Sequence, residues 1–86
     1  MDWKTYAWLK RGKRRTQTLS LFSSNFPFST NDVKKKLQVA MHQASFTLKE
    51  LQQKNLVKCL NPEDIIGRLY KITPQGTKLL KEGQND

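Results

Sequence analysis

The sequence predicts an α+β fold that is mostly helical, with a three-helix core, a two- to three-stranded hairpin and a C-terminal helix. Apolar residues recur at helical spacing in residues 41–54, where Ala44, Leu48 and Leu51 share one stripe. Directly after this helix, the run NLVKCL changes to the apolar and β-branched pattern of a strand. A turn-rich segment, NPEDIIG, then leads to a second alternating run, RLYKIT. A helix followed by such a hairpin is typical of a winged helix.

The N-terminal segment, residues 1–12, is rich in aromatic and basic side chains and ends at Gly12. Its backbone is either helical or extended. Its tryptophans either cover the small core or anchor a second subunit, where Trp and Tyr are favoured. Residues 13–22, KRRTQTLSLF, are expected to form the first core helix. Pro27 restricts Phe26 to extended geometry, so a one- or two-residue edge strand is expected at residues 26–28.

The second core helix has a clear start signal at Ser29. The Ser29 hydroxyl can accept the amide hydrogen of Asp32, and the Asp32 carboxylate can return the bond, as in a capping box. Val33 and Leu37 lie four residues apart and are expected to face the core. A short turn at residues 38–40 connects this helix to the long helix of residues 41–54.

The end of the long helix and the start of the last one are also marked. Asn55 tolerates the left-handed conformation that a helix stop needs. Gly67 closes the loop between the two strands. Thr73 and Pro74 start the last helix with a capping hydroxyl and a proline at the first helical position, and the helix is expected to end at Gly83. Residues 1–86 are therefore read as one domain, with an N-terminal segment (1–12), a core (13–82) and a tail (83–86).

The net charge of the 86-residue chain is +9, from sixteen Lys and Arg against seven Asp and Glu. A scatter of lysines for solubility would be even, but the basic residues are clustered. The clusters are Lys10, Arg11, Lys13, Arg14 and Arg15, and then Lys34, Lys35 and Lys36. Such clustering indicates a polyanionic partner, and nucleic acid is the expected one.

Several other classes of function find no support in the sequence. One histidine, one cysteine and no useful cluster of carboxylates supply neither a catalytic triad nor a metal site, so no enzyme activity, metal or cofactor is expected. No apolar run is long enough to span a membrane, and the N-terminus resembles no secretory signal. Cytoplasmic, nucleoid-associated localisation is expected, with no membrane partner and no evident small-molecule ligand.

Four segments together resemble a known family. S-x-x-D-V-x-x-x-L, LKELQQKNLV, CLNP and GRLYKIT-P-x-G look like a winged helix-turn-helix DNA-binding domain, and are most similar to small archaeal transcriptional regulators of the MarR and ArsR-like type. The resemblance covers about residues 8–80. It implies a DNA-binding transcriptional regulator that places residues 41–54 in the major groove. It also implies a homodimer whose two-fold symmetry matches that of double-stranded DNA half-sites.

The chain departs from the family pattern at four positions. Gln38 stands where the turn usually has a small residue, at a cost of about 1 kcal/mol if the site is left-handed. Ala40 stands at the usual Ser or Thr cap of the recognition helix, which also costs about 1 kcal/mol. Lys34 replaces a small residue, and Phe46 replaces a polar residue that would face DNA.

The resemblance also assigns DNA contacts. The base-facing residues would be Met41, His42, Gln43, Ser45, Phe46 and Lys49. The phosphate contacts would be Arg14, Arg15, Lys34, Lys35, Lys36 and Arg68. Gln43 could pair with adenine and Lys49 with guanine or a phosphate. Phe46 could contact a thymine methyl group or pack against its own wing.

The loop of the hairpin does not suit a DNA contact. Glu63 and Asp64 would repel phosphates, while Ile65 and Ile66 would be exposed, so the tip is expected to stay off the DNA backbone or to meet a protein. Two alternative functions therefore stay open. One is a protein-protein interaction module of the transcription or replication machinery, and the other is a non-specific, charge-driven binder of nucleic acid, including RNA.

Overall fold

A computed structural model describes residues 2–84, with side chains described through Glu82. Within these residues, the chain forms five α-helices and a small three-stranded antiparallel sheet. The helices are α1 (Trp3–Arg11), α2 (Lys13–Leu21), α3 (Thr30–Leu37), α4 (Met41–Gln53) and α5 (Pro74–Gln84). The strands are β1 (Phe28–Ser29), β2 (Val57–Cys59) and β3 (Leu69–Ile72), and a 3-10 turn, Phe22–Ser24, follows α2. The predicted fold class is confirmed.

The N-terminal segment is helical. The Asp2 carboxylate caps α1 by accepting the Thr5 amide hydrogen at 3.2 Å, and hydrogen bonds from Thr5 hold the pKa of Asp2 below its usual value. Leu9 is buried, whereas Trp3 is 69% exposed and Trp8 is half-buried. The core therefore reaches back beyond residue 13, where the sequence predicts its start, and it does so through Leu9.

Helices α2, α3 and α4 pack around one core. Leu19, Phe22, Val33, Leu48 and Leu51 are fully buried in it. These are the inward faces that the helical spacing predicts, and burying each large aliphatic side chain stabilises the fold by about 1.5–3 kcal/mol.

Local hydrogen bonds and backbone geometry set both the start of α3 and the turn that leads from α3 to α4. The predicted capping box at the start of α3 is present, with Ser29 Oγ accepting the Asp32 amide hydrogen at 3.1 Å and Asp32 Oδ2 accepting that of Ser29 at 2.9 Å. Gln38 is left-handed (φ 55°, ψ 49°), so the chain reverses there although the residue is not glycine. The Val39 amide then donates to the Lys34 carbonyl at 3.2 Å, which closes the turn.

The sheet has the order β1-β3-β2, so β1 lies at an edge as predicted. It pairs Phe28 with Tyr70, and it overlaps the predicted range of residues 26–28 at Phe28 and extends one residue beyond it. Val57 pairs with Ile72, and Val57, Tyr70 and Ile72 are buried against the core. The Phe22 and Phe28 rings meet edge to face at 5.5 Å, which holds β1 on the core.

Helix α5 is anchored at its start. Thr73 Oγ1 accepts the Gly76 amide hydrogen at 3.0 Å and donates to the Asn55 carbonyl at 2.7 Å, which confirms the predicted cap. Asn55 has the predicted left-handed backbone, with φ of 61°, and Gly67, which closes the loop between the strands, has φ of 75°. The helix continues through residue 83 to Gln84, beyond its predicted end, because a single glycine costs a helix only about 1 kcal/mol. The rest of the predicted tail, residues 85–86, lies outside the described residues.

Candidate nucleic-acid interface

Helix α4 has one buried face and one exposed face. Ala44, Leu48 and Leu51 are buried, which fixes the rotation of the helix about its axis. Five of the six side chains predicted to face bases are exposed on the other side, and we call them the α4 surface. They are Met41, His42, Ser45, Phe46 and Lys49.

The most apolar member of the α4 surface is Phe46. Its side chain is 63% exposed, so it does not pack against the wing, which was the alternative expected from the sequence. It borders a shallow depression with Lys49, Glu50 and Gln53. An exposed aromatic ring next to a lysine can contact both a thymine methyl group and a phosphate.

Gln43, the sixth predicted base contact, is half-buried and used locally. Its Oε1 accepts the Ala40 amide hydrogen at 3.3 Å. This bond caps the start of α4 from inside the helix, where Ala40 has no side-chain acceptor of its own. Pairing with adenine through both amide atoms would therefore require this bond to break.

Arg15 has a different role from the predicted phosphate contact. Its Nη1 donates to the Trp8 carbonyl at 2.8 Å, and its Nη2 forms an ion pair with Glu50 Oε2 at 3.1 Å. The guanidinium also lies over the Trp8 ring at 4.2 Å. Both terminal nitrogens of Arg15 are thus bonded to protein atoms, and three quarters of its side chain is covered. Arg15 therefore joins α1, α2 and α4.

This ion pair also affects the charge of α4. Glu50 is the single acidic residue in the α4 sequence, MHQASFTLKELQQ. Because Arg15 neutralises its half-buried carboxylate, the exposed charge that α4 presents is that of Lys49, which suits a polyanion.

The other predicted phosphate contacts on the helices are available. Arg14, Lys35 and Lys36 are exposed, and Lys34 is half-buried. The Lys36 ammonium lies 5.1 Å from the Phe28 ring centroid, a contact that its flexible stem can exchange for a phosphate. Lys34 to Lys36 stand in the last turn of α3, and α3 packs directly against α4.

The wing, which consists of β2, β3 and the loop between them, is organised by Asn61. The sequence marks Asn61 as a turn residue because it precedes a proline. Its Nδ2 donates to Asp64 Oδ2 at 2.9 Å and to the Gly67 carbonyl at 3.2 Å, while its Oδ1 accepts the Leu69 amide hydrogen at 2.7 Å. Ile65 and Ile66 stay outside this network and are 88% and 90% exposed.

Arg68, the phosphate contact predicted on the wing, is folded back onto the loop. Its Nε donates to the Asp64 carbonyl at 2.6 Å and its Nη2 to the Pro62 carbonyl at 3.3 Å. A phosphate that binds through Nε would have to displace the Asp64 carbonyl.

A cleft of about 400 Å³ separates the wing from the start of α3 and α4. Met41 and Ser45 line one side, Ile65 and Ile66 the other, and Asn31 lies at the start of α3. No sequence motif marks Asn31 as a functional residue, although its place beside the Ser29 cap puts it in the first turn of α3, where backbone amides point outward.

Among residues 2–84, no group of three or more His, Cys, Asp or Glu side chains is placed to hold a metal ion. No helix in the described part of the chain is long and apolar enough to cross a membrane.

No family model matches the chain, and no curated protein matches its sequence. Solved structures do match its fold. Staphylococcus aureus MepR, described as a transcription regulator of the multidrug efflux pump MepA, superposes with a TM-score of 0.74 and 24% identity, over 85% of this chain and 55% of the MepR chain.

Two further structures extend this likeness. The S. aureus MepR–DNA complex has a TM-score of 0.77 and 22% identity, over 98% of this chain and 74% of that one. The reduced form of MarR from E. coli has a TM-score of 0.76 and 25% identity, over 92% of this chain and 61% of MarR. The neighbours are transcription regulators, not enzymes.

The present chain thus spans little more than half of the MepR chain and about three fifths of the MarR chain. These neighbours come from bacteria, and the archaeal part of the resemblance stays a prediction. Together with the geometry above, they show that the chain has a MarR-like winged-helix fold.

Proposed function

We propose that the chain binds double-stranded DNA as a transcriptional regulator, with α4 in the major groove. The observation that supports this most is the α4 surface, whose exposed side chains include one cation and no carboxylate. A 13-residue helix is about 20 Å long, and the major groove admits a helix of this kind. S. aureus MepR, which has the same fold, has been solved bound to DNA.

In this proposal the α4 surface divides by chemistry. His42 and Ser45 offer hydrogen bonds to base edges, Met41 and Phe46 offer apolar contact to thymine methyl groups, and Lys49 pairs with guanine or a phosphate. Gln43 stays a capping residue, because its amide oxygen already accepts the Ala40 amide hydrogen.

The phosphate contacts are fewer than the sequence predicts. With Arg15 and Arg68 bound to protein atoms, the predicted phosphate contacts that stay available are Arg14, Lys34, Lys35 and Lys36, and Lys49 of α4 adds a fifth cation. Five neutralised phosphates give a slope of log affinity against log salt of about −4.5. This electrostatic contribution sets affinity, while the α4 surface supplies any preference for sequence.

DNA binding by a homodimer completes the proposal. Trp3 is 69% exposed on α1 and meets the Tyr6 ring edge to face at 6.0 Å, so an aromatic surface is available to a second copy. Sedimentation of the wild type and of Trp3→Ala tests this: we expect a dimer that the substitution weakens. A wild-type monomer at DNA-binding concentrations would contradict the proposed dimer.

Cytoplasmic, nucleoid-associated localisation follows from the proposed DNA partner.

The experiment for α4 is a selection of binding sites from random duplexes, followed by fluorescence anisotropy on the selected duplex across a salt series. We expect Lys49→Ala to weaken binding about tenfold, as for loss of one base or phosphate contact. The matched control Lys78→Ala removes the same charge from the exposed side of α5 and should change affinity by less than about twofold.

Equal losses from Lys49→Ala and Lys78→Ala, with no motif enriched by the selection, would contradict the proposal and favour charge-driven binding. No binding to any duplex at low salt would contradict both DNA functions.

One observation favours the second candidate, a protein-interaction module. Ile65 and Ile66 are almost fully exposed beside Glu63 and Asp64, and an apolar, acidic tip suits a protein surface better than a phosphate backbone. The double substitution Ile65→Ser with Ile66→Ser should leave duplex affinity within about twofold if the tip stays off DNA. A larger loss would place the tip on DNA.

A further inference from the structure

A second basic surface lies away from α4. An open cleft of about 660 Å³ is bordered by the outer face of β2 and β3, the first turns of α5 and the turn after α2. It shares no lining residue with the cleft beneath the wing or with the depression at Phe46. Three lysines line it, namely Lys58, Lys71 and Lys81.

Two of these lysines face each other across the sheet. Lys58 of β2 and Lys71 of β3 are direct partners in the antiparallel register, which places their Cβ atoms roughly 5 Å apart. Like charges directly opposite each other destabilise a sheet. Lys71 is also half-buried, so part of its side chain packs against the cleft.

No carboxylate compensates this charge in the described part of the chain. The residues that line the cleft include no Asp or Glu, and the ion pair that the structure shows, Arg15 with Glu50, lies elsewhere. A bound anion would relieve the repulsion between Lys58 and Lys71, which no carboxylate in the lining of the cleft offsets.

The third lysine and the polar side chains complete the lining. Thr77 and Lys81 are four residues apart on α5, so they share one face of the helix. Ser23 and Asn25, from the turn after α2, add a hydroxyl and an amide on the other side of the cleft. Ammonium, hydroxyl and amide donors that converge from separate elements are the groups that bind phosphate oxygens.

We propose that this cleft binds a small phosphate-bearing anion, of the class that carries a diphosphate or triphosphate group. Its volume is that of a small-molecule site and exceeds the space that one inorganic phosphate needs. The three lysines line one concave surface and come from a hairpin and a helix. This arrangement suits contact with a compact anion better than contact with an extended nucleic-acid backbone. The inference is independent of the proposed DNA binding.

The test is isothermal titration of the full chain with inorganic pyrophosphate and with adenosine triphosphate, at a constant ionic strength of about 150 mM. The test variant is Lys58→Gln with Lys71→Gln. The control is Lys4→Gln with Lys13→Gln, which removes the same charge from exposed positions on α1 and α2.

We expect a single saturable site that the test variant weakens at least about tenfold and the control by less than about twofold. The test variant should melt, without ligand, at the same temperature as the wild type or higher, because it removes the repulsion between the two lysines. This result separates loss of a ligand contact from loss of folding.

Three outcomes would overturn the proposal. One is the absence of saturable binding to either anion. Another is an equal loss of affinity in both double variants, which would show a response to net charge alone. The last is a loss of duplex affinity of about tenfold or more in Lys58→Gln with Lys71→Gln, which would assign the cleft to nucleic acid.

Discussion

Replacing Gly76 by alanine tests how α5 is joined to the base of the wing. A Cβ atom at this position would stand 2.3 Å from the Leu56 carbonyl oxygen and 2.8 Å from Ile72 Cγ1. The carbonyl is not free to move, because it accepts the Thr73 amide hydrogen at 3.0 Å and the Thr73 hydroxyl at 3.1 Å. The methyl group would therefore have to displace the first turn of α5.

Two opposing effects set the size of the change. Overpacking a well-filled site costs typically 1–3 kcal/mol, and contact with a fixed backbone atom belongs at the upper end, about 3 kcal/mol. Alanine favours the helix over glycine by at most about 1 kcal/mol. We therefore expect Gly76→Ala to lower the free energy of unfolding by about 2 kcal/mol.

Urea denaturation followed by circular dichroism measures this change. For a chain of this size the slope is about 1 kcal/mol per molar urea, so the midpoint should fall by about 2 M. The control Lys78→Ala, an exposed position on the same helix, should change stability by no more than about 0.5 kcal/mol. A Gly76→Ala variant as stable as the wild type would refute the close packing of α5 against Leu56.

Four further predictions concern other contacts. A double-mutant cycle of Arg15→Ala and Glu50→Ala should give a coupling of about 1 kcal/mol, because both side chains are mostly covered, and a coupling near zero would contradict the ion pair. Ser29→Ala should lower the free energy of unfolding by about 1 kcal/mol. Hydrogen bonds from Ser29 hold the pKa of the Asp32 carboxyl group below its usual value of 3.8. The ionised carboxylate therefore stabilises the fold fully at neutral pH, and this stabilisation is lost as the pH falls below 3.8 and through the lowered pKa. The stability difference between wild type and Asp32→Asn should therefore shrink between neutral pH and pH 3, and a constant difference would argue against the cap. Asn61→Ala should speed amide exchange across residues 61–69, and unchanged exchange would show that its three hydrogen bonds do not order the wing.

Local signals account for the parts of the fold that could be predicted from the sequence. The Ser29 cap, the left-handed Asn55 and the Thr73 cap each depend on residues within a few positions of one another. The stripe of apolar residues in α4 is local in the same sense, since it follows from helical spacing alone. All of these predictions are confirmed.

The contacts that could not be predicted join residues distant in sequence. Arg15 stands in a basic run that is typical of phosphate contacts, but its partner Glu50 is 35 residues away, on another helix. Arg68 is an exception, because it donates to carbonyls only four and six residues away, and this contact depends on the conformation of the wing loop. The short α1 was ambiguous because its burial depends mainly on one residue, Leu9, which packs against the rest of the core.

The candidate site was predicted in outline. Exposure of His42, Phe46 and Lys49 follows from the helical period and is confirmed. The use of Gln43 as an internal cap was not expected, because it depends on the missing side-chain acceptor at Ala40 and on the bend of the preceding turn.

The most direct test of the central claim is a two-dimensional ¹H–¹⁵N titration of the chain with a duplex obtained by selection. If α4 enters the major groove, the largest shifts will fall on amides of residues 41–49, with smaller ones on residues 30–36 of α3. The amides of Ile65 and Ile66 will shift little, because the acidic tip of the wing stays off the backbone. Shifts spread evenly over all lysine-bearing segments, with none concentrated on α4, would contradict the account.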